Sequence, residues 1–295
     1  MLLATLATAQ PGEPRLVRGQ EMTYRGSYSE TATHGGTEYR RTFELEIRVF
    51  VLDVGPTGGS LAVCTALRSP NAAGPPAVRF ELARVDSRGR VCLASGEPPP
   101  LTPDGPPALE CAGFIERPPG DAVEWSAAGV SPPFRWRADG TEIVHGVRCV
   151  KLAGEQQSAD WDRLSADQPA WRRTEIAWLG ADSGIVERLE RAIEWRKLGE
   201  RDSIIRSKTI YELHGGVSSY PDALGQDRRS EIRHAARFQN EYRRLAAGRA
   251  GPAAYAALIG RIDAALIETP ATPFRPAIMA TRHAADAARR GETPP

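Results

Sequence analysis

Long apolar runs are missing from this chain. After residue 9, no stretch approaches the roughly 20 apolar residues that a membrane-spanning helix needs. An excess of one charge is missing too, because 38 basic residues meet 37 acidic ones for a formal net charge of +1. Such a balance supplies no long-range field for gathering nucleic acid or an anionic membrane surface. Among the 38 basic residues only Lys151, Lys197 and Lys208 are not arginine, and none of the three completes an S-x-x-K motif. Cysteine is sparse: Cys64, Cys92, Cys111 and Cys149 form no C-x-x-C pair, which leaves a zinc ribbon or a thioredoxin-type redox site unsupported. H-E-x-x-H, a glycine-rich phosphate loop and a G-x-S-x-G elbow are all absent. No catalytic residue, metal ligand set or cofactor is therefore assigned.

What is present is alternation with a period of two, longest over residues 171–213. Thr174, Ile176 and Trp178 alternate with charged or small neighbours, a turn follows at Ala181-Asp182-Ser183-Gly184, and Ile185, Leu189, Ile193 and Trp195 then share one parity. Beyond a turn at 198–200, Ile205, Thr209, Tyr211 and Leu213 carry a third strand. A helix would scatter these residues around its circumference, whereas strands line them on one side. Glu187, Arg188, Glu190, Arg191, Glu194 and Arg196 fall between them, so the pattern predicts a sheet with one buried and one wet face. The same reading gives earlier strands near 22–28, 43–51, 61–67, 78–82 and 91–94, and later ones near 134–136 and 142–152, the last bent at 144–147.

Past Pro221 the composition shifts to alanine and arginine at helical spacing. Ile232, Ala235, Ala236, Gln239, Tyr242, Leu245 and Ala246 follow the i, i+3, i+4 rule, and Gly248 can end that helix. Pro252 suits the first turn of a second helix striped by Tyr255, Leu258, Ile259, Ile262 and Leu266. A Pro-rich break at 269–276 precedes a third helix that runs to about Arg290. Stripes this narrow cannot build a core alone and must lie on the sheet or on each other. The expected fold is α+β: a large, curved, half-barrel-like antiparallel sheet over residues 10–217, then a helical segment over 218–295 packed on its greasy side. Six prolines between residues 95 and 109 mark an exposed loop within the sheet domain.

Leu2, Leu3 and Leu6 followed by Ala7-Thr8-Ala9 resemble the end of a signal peptide cut after Ala9, so residues 1–9 are read as a leader and the protein as exported, to the periplasm or beyond. An even cysteine count in an exported chain suggests disulfides, with three connectivities open. Cys92 with Cys111 would close the Pro-rich loop, leaving Cys64 with Cys149.

Other candidates for chemistry weigh less. His34-Gly35-Gly36 and His214-Gly215-Gly216 echo an oxyanion-hole element, but glycines closing strands explain both. His145 and Cys149 share a predicted strand face and would need a third ligand to hold zinc. Asp160 and Asp162 flank Trp161 in a polar loop. All six tryptophans lie between residues 125 and 195. Trp136, Trp178, Trp195 and Ile193 are the residues expected to face an apolar ligand.

The order of elements resembles the LolA-like families of exported carriers: a leader, a long antiparallel meander of wide strands, and accessory helices, matched over about residues 20–213. In those families an unclosed, curved sheet holds an acyl chain against helices. The resemblance implies a non-catalytic exported binding module that takes a lipid or other apolar molecule between sheet and helices. A structural domain of the cell envelope, docking a protein partner through the helices, is the alternative. Nucleic acid is not an expected partner, and no segment is expected to span a membrane.

Overall fold

The alternating pattern becomes strands that are longer than the apolar residues alone delimit. In a computed structural model, which describes residues 13–34, 37–70, 74–93, 113–118, 122–127, 131–159, 161, 170–197 and 203–292, the strands are β1 (Gln20–His34), β2 (Thr37–Gly55), β3 (Gly58–Arg68), β4 (Ala77–Asp86), β5 (Val91–Leu93), β6 (Glu124–Ser126), β7 (Arg135–Val144), β8 (Val147–Gln157), β9 (Ala170–Gly180), β10 (Val186–Lys197) and β11 (Ser203–Ser219). Helices α1 (Asp222–Ala247), α2 (Pro252–Glu268) and α3 (Arg275–Arg289) follow. Among the described residues the strands form one 11-stranded sheet in the order β5-β4-β3-β2-β1-β11-β10-β9-β8-β7-β6, antiparallel throughout and not closed. Two meanders, β1 to β5 and β6 to β11, are joined where β1 pairs with β11 from Gln20 opposite Ser219 to Thr33 opposite Ile204.

The sheet curls until both of its halves reach one apolar core. Met22, Tyr24, Ile47, Val49, Leu61 and Val85 from one half meet Trp136, Leu152, Leu179, Leu189 and Tyr211 from the other. At the centre, Tyr24 and Tyr211 meet edge to face at 5.3 Å. Between the edge strands β5 and β6, the segment 113–118 crosses the gap. Val186 N donates to Gly113 O at 3.0 Å, Arg117 N to Arg88 O at 2.8 Å, and Trp125 Nε1 to Glu116 O at 2.9 Å. Phe114 and Ile115 drop from it into the core and plug the lower end of the concave face, the end that carries the β2–β3, β7–β8 and β9–β10 turns.

The helices pack on the convex face, and here the expectation that they roof the greasy concave side is corrected. Strands β2 to β4 are apolar on both sides. Leu45, Ile47, Val49 and Val51 enter the concave core, while Phe50, Ala62, Cys64 and Phe80 point the other way. Val78, Phe80 and Leu82 have the parity opposite to Ala83 and Val85, so β4 feeds the helix layer as well as the core. Against this second stripe lie Ile232, Phe238, Leu258, Ile262, Phe274 and Ile278, each at most 1% exposed. Polar ties fix the layer: Gln239 Nε2 donates to Phe80 O at 3.0 Å and Arg228 Nε to Glu21 Oε2 at 2.6 Å. The space between sheet and helices is therefore filled by side chains, and it is not where a ligand would lie.

The bend at 144–147 is a hairpin turn that divides one expected strand into β7 and β8. His145 and Gly146 have φ of 50° and 82°, the pair of positive values that a two-residue turn uses to match the strand twist.

Candidate functional site

Strand register orders the concave face into rows, and the rows change character upward from the plug. The row through Tyr211, Leu189, Ala177 and Leu152 is apolar. The next runs Tyr28, Thr209, Arg191, Glu175, Gly154 and Trp136, and the one above it Glu30, Ser207, Ile193, Arg173 and Gln156. Above these, Ala32, Ile205, Trp195 and Trp171 restore an apolar, aromatic row near the upper end. A polar and charged layer is thus held between an apolar floor and an aromatic rim.

The layer is buried, which makes its composition costly. Thr209, Ser207, Arg191, Arg173, Glu175 and Gln156 are all buried. Glu175 accepts from Arg173 Nε at 2.5 Å and from Arg191 Nε. Burial alone would raise the Glu175 carboxyl, but Arg173 and Arg191 outweigh it and hold the group below the usual carboxylate range. An acid held ionised this way lacks the near-neutral pKa that proton transfer needs. The walls are aromatic: the Arg173 guanidinium lies 4.7 Å from the Phe134 ring centroid, and Phe134 meets Trp136 at 4.7 Å. Gly154 makes room for both rings, since a Cβ there would lie 2.7 Å from Trp136 and closer still to Phe134.

No family model matches this chain. No curated protein matches it either. Among solved structures it is similar to a DUF1329 family protein from Desulfovibrio piger, at 10% identity over 70% of this chain and 88% of that one, with a TM-score of 0.21. It is also similar to a protein named as a lipoprotein from Parabacteroides distasonis, at 13% identity over 70% and 98% of the two chains, with a TM-score of 0.32. A third is a domain named for outer membrane lipoprotein sorting from Vibrio parahaemolyticus, at 10% identity over 68% and 86%, with a TM-score of 0.20. The resemblance is weak and assigns no residue, so the site rests on its own geometry.

Of the residues read as ligand-facing, Trp136, Ile193 and Trp195 lie on the concave face, Ile193 and Trp195 only half-buried near its upper end. Trp178 does not join them. Its backbone pairs with Arg188, and its Nε1 donates to Glu142 Oε2 at 2.7 Å on the convex face, with Lys151 and Arg188 over its ring. The register shift between Val186 and Arg188 is the physical reason, because one bulged residue changes which parity of β10 faces in.

Cys64 and Cys149 are free thiols, and the bond expected between them is not formed. They lie on β3 and β8, six strand positions apart, roughly 29 Å along the sheet at the usual strand spacing. Both point to the convex side, where curvature separates side chains further. A disulfide needs Cα atoms within about 7 Å. Burial, opposed by Arg48 and aided by Glu46, leaves the Cys64 thiol pushed up to about 12. Cys92 is half-buried on the edge strand β5, and Cys111 lies outside the described residues, as do the leader, the Pro-rich loop, Gly35, Gly36, Asp160 and Asp162.

His145 and His214 make surface contacts. His145 sits in the β7–β8 turn rather than on a strand face with Cys149, and its Nε2 lies 2.9 Å from Glu212 Oε2. His214 Nε2 lies 3.1 Å from Arg25 Nη1. Among the described residues no three His, Cys, Asp or Glu side chains converge as a metal site. What the sequence reading missed is the charged layer itself. Arg173, Glu175 and Arg191 alternate with neighbours as inward residues should, but their charge places them, by pattern alone, on the wet side.

Proposed function

We propose that this protein is a non-catalytic, exported binding module that holds an amphipathic, lipid-like molecule on the upper concave face of its sheet. The observation that carries this reading is the buried polar layer between two apolar ones. A sheet selected for stability alone would fill that layer with aliphatic side chains, because a buried ion pair is often no better than a well-packed apolar replacement. Apolar walls with a few fixed polar groups are the usual make-up of a small-molecule site. The polar end of the ligand lies against the Ser207, Thr209 and Arg191 layer, and its apolar part runs past Ile193, Trp195 and Ile205 toward the upper end. The leader-like Ala7-Thr8-Ala9 supports export.

Native mass spectrometry of the gently purified full chain tests the proposal. The reading expects a co-purifying species of lipid mass, released by organic extraction. A clean apo mass, together with no uptake of added long-chain lipid, would overturn it.

A further inference from the structure

The convex face of β2, β1, β11, β10 and β9 is not uniformly balanced in charge. Its lower row, Glu46, Arg25, Glu212 and Arg188, alternates in sign and is paired, with Arg25 Nε 3.4 Å from Glu46 Oε2 and Arg188 Nη1 3.1 Å from Glu212 Oε1. The next row up carries two acids, Glu44 and Glu190, and no base. The two rows above it hold Ser29, Lys208, Ala192 and Thr174, then Arg40, Thr31, Arg206, Glu194 and Arg172. These rows line a groove of about 340 Å³ in which four cations face a single carboxylate. Glu194 is shared by Arg196 and Arg206, each at 3.2 Å, and among the described residues Arg40 and Arg172 make no ion pair.

We propose that this basic groove docks the molecule on an anionic lipid bilayer. Two features support a bilayer rather than a lone soluble anion. The groove crosses five strands, roughly 19 Å at the usual spacing, which is broad and open rather than fitted to one anion. Arg172 and Arg196 are held over the Trp161 ring at 4.9 and 3.8 Å from its centroid, so Arg172 is already oriented at the surface. Because the whole chain has a formal charge of only +1, attraction acts at contact range and must be screened by salt. The inference is independent of what the concave face holds.

Flotation with liposomes tests it. Vesicles of phosphatidylcholine alone are compared with vesicles holding about 30% phosphatidylglycerol, at about 0.1 M and about 0.5 M salt. The full chain is expected to float only with the anionic vesicles and only at low salt. Arg172→Glu with Arg206→Glu should weaken this at least about tenfold. Arg40→Glu with Lys208→Glu, which leaves the Trp161 stack untouched, should do the same. Arg243→Glu with Arg244→Glu on α1, an equal charge change elsewhere, should leave binding as it was. Equal binding to neutral vesicles, no binding to anionic ones, or an equal loss in the α1 control would each overturn the proposal.

Discussion

Glu175 lies between Arg173 and Arg191, with all three side chains buried. Replacing it with glutamine leaves two guanidinium groups without their carboxylate, so Glu175→Gln should cost roughly 3–5 kcal/mol in denaturant unfolding at pH 7. The sign of its pH dependence follows from the depressed folded-state pKa. A carboxyl held down in this way contributes its stability above the unfolded-state pKa and loses it as pH falls through the lower folded value. Unfolding midpoints should therefore separate the two proteins fully at pH 7, and the gap should narrow in acid below the ordinary carboxylate range. A gap that stays constant from pH 7 into strong acid would mean that the triad's charge is not what stabilises it. Charge is also why these residues were hard to place from sequence: β9 and β10 carry charged residues on both parities, so charge gives no sign of which parity is buried.

At the scale of elements, the β1–β11 seam joins the two meanders, and Gly26 sits in it opposite Tyr211. A Cβ on Gly26 would fall onto the Ile210 carbonyl and within 2.7 Å of Tyr211 Cα. Gly26→Ala should therefore destabilise by more than about 1 kcal/mol, read as a lowered denaturation midpoint, although alanine normally favours strands over glycine. In the helix layer, Phe274 meets Phe50 edge to face at 6.0 Å and is fully buried. Phe274→Ala should cost about 3–5 kcal/mol, and an effect below about 1 kcal/mol would mean that the helices fold apart from the sheet. The strands and helices were legible because each repeats a simple period, and Pro221, Gly248 and Pro252 punctuate the helical part. The short strand β6 was missed, since Trp125 is its only apolar residue. The side of the sheet taken by the helices was misread because β2 to β4 are apolar on both faces, and periodicity cannot say which stripe a helix will choose.

For the whole molecule, the antiparallel sheet with a helical tail follows from pattern, but the curl that brings Val85 and Trp125 into one core does not. Nor does the segregation of charge on the convex face, which a net charge of +1 conceals. Both depend on register, and register depends on bulges such as the one at Glu187, where a single inserted residue carries Trp178 away from Trp195. The proposed ligand site is the concave face, not the filled layer under the helices. The most direct test is quenching of tryptophan fluorescence by 9,10-dibromostearate, in the wild-type chain and in two single variants. Quenching should be strong in the wild type, clearly reduced in Trp195→Phe and unchanged in Trp178→Phe. No quenching, or a loss confined to Trp178→Phe, would contradict it.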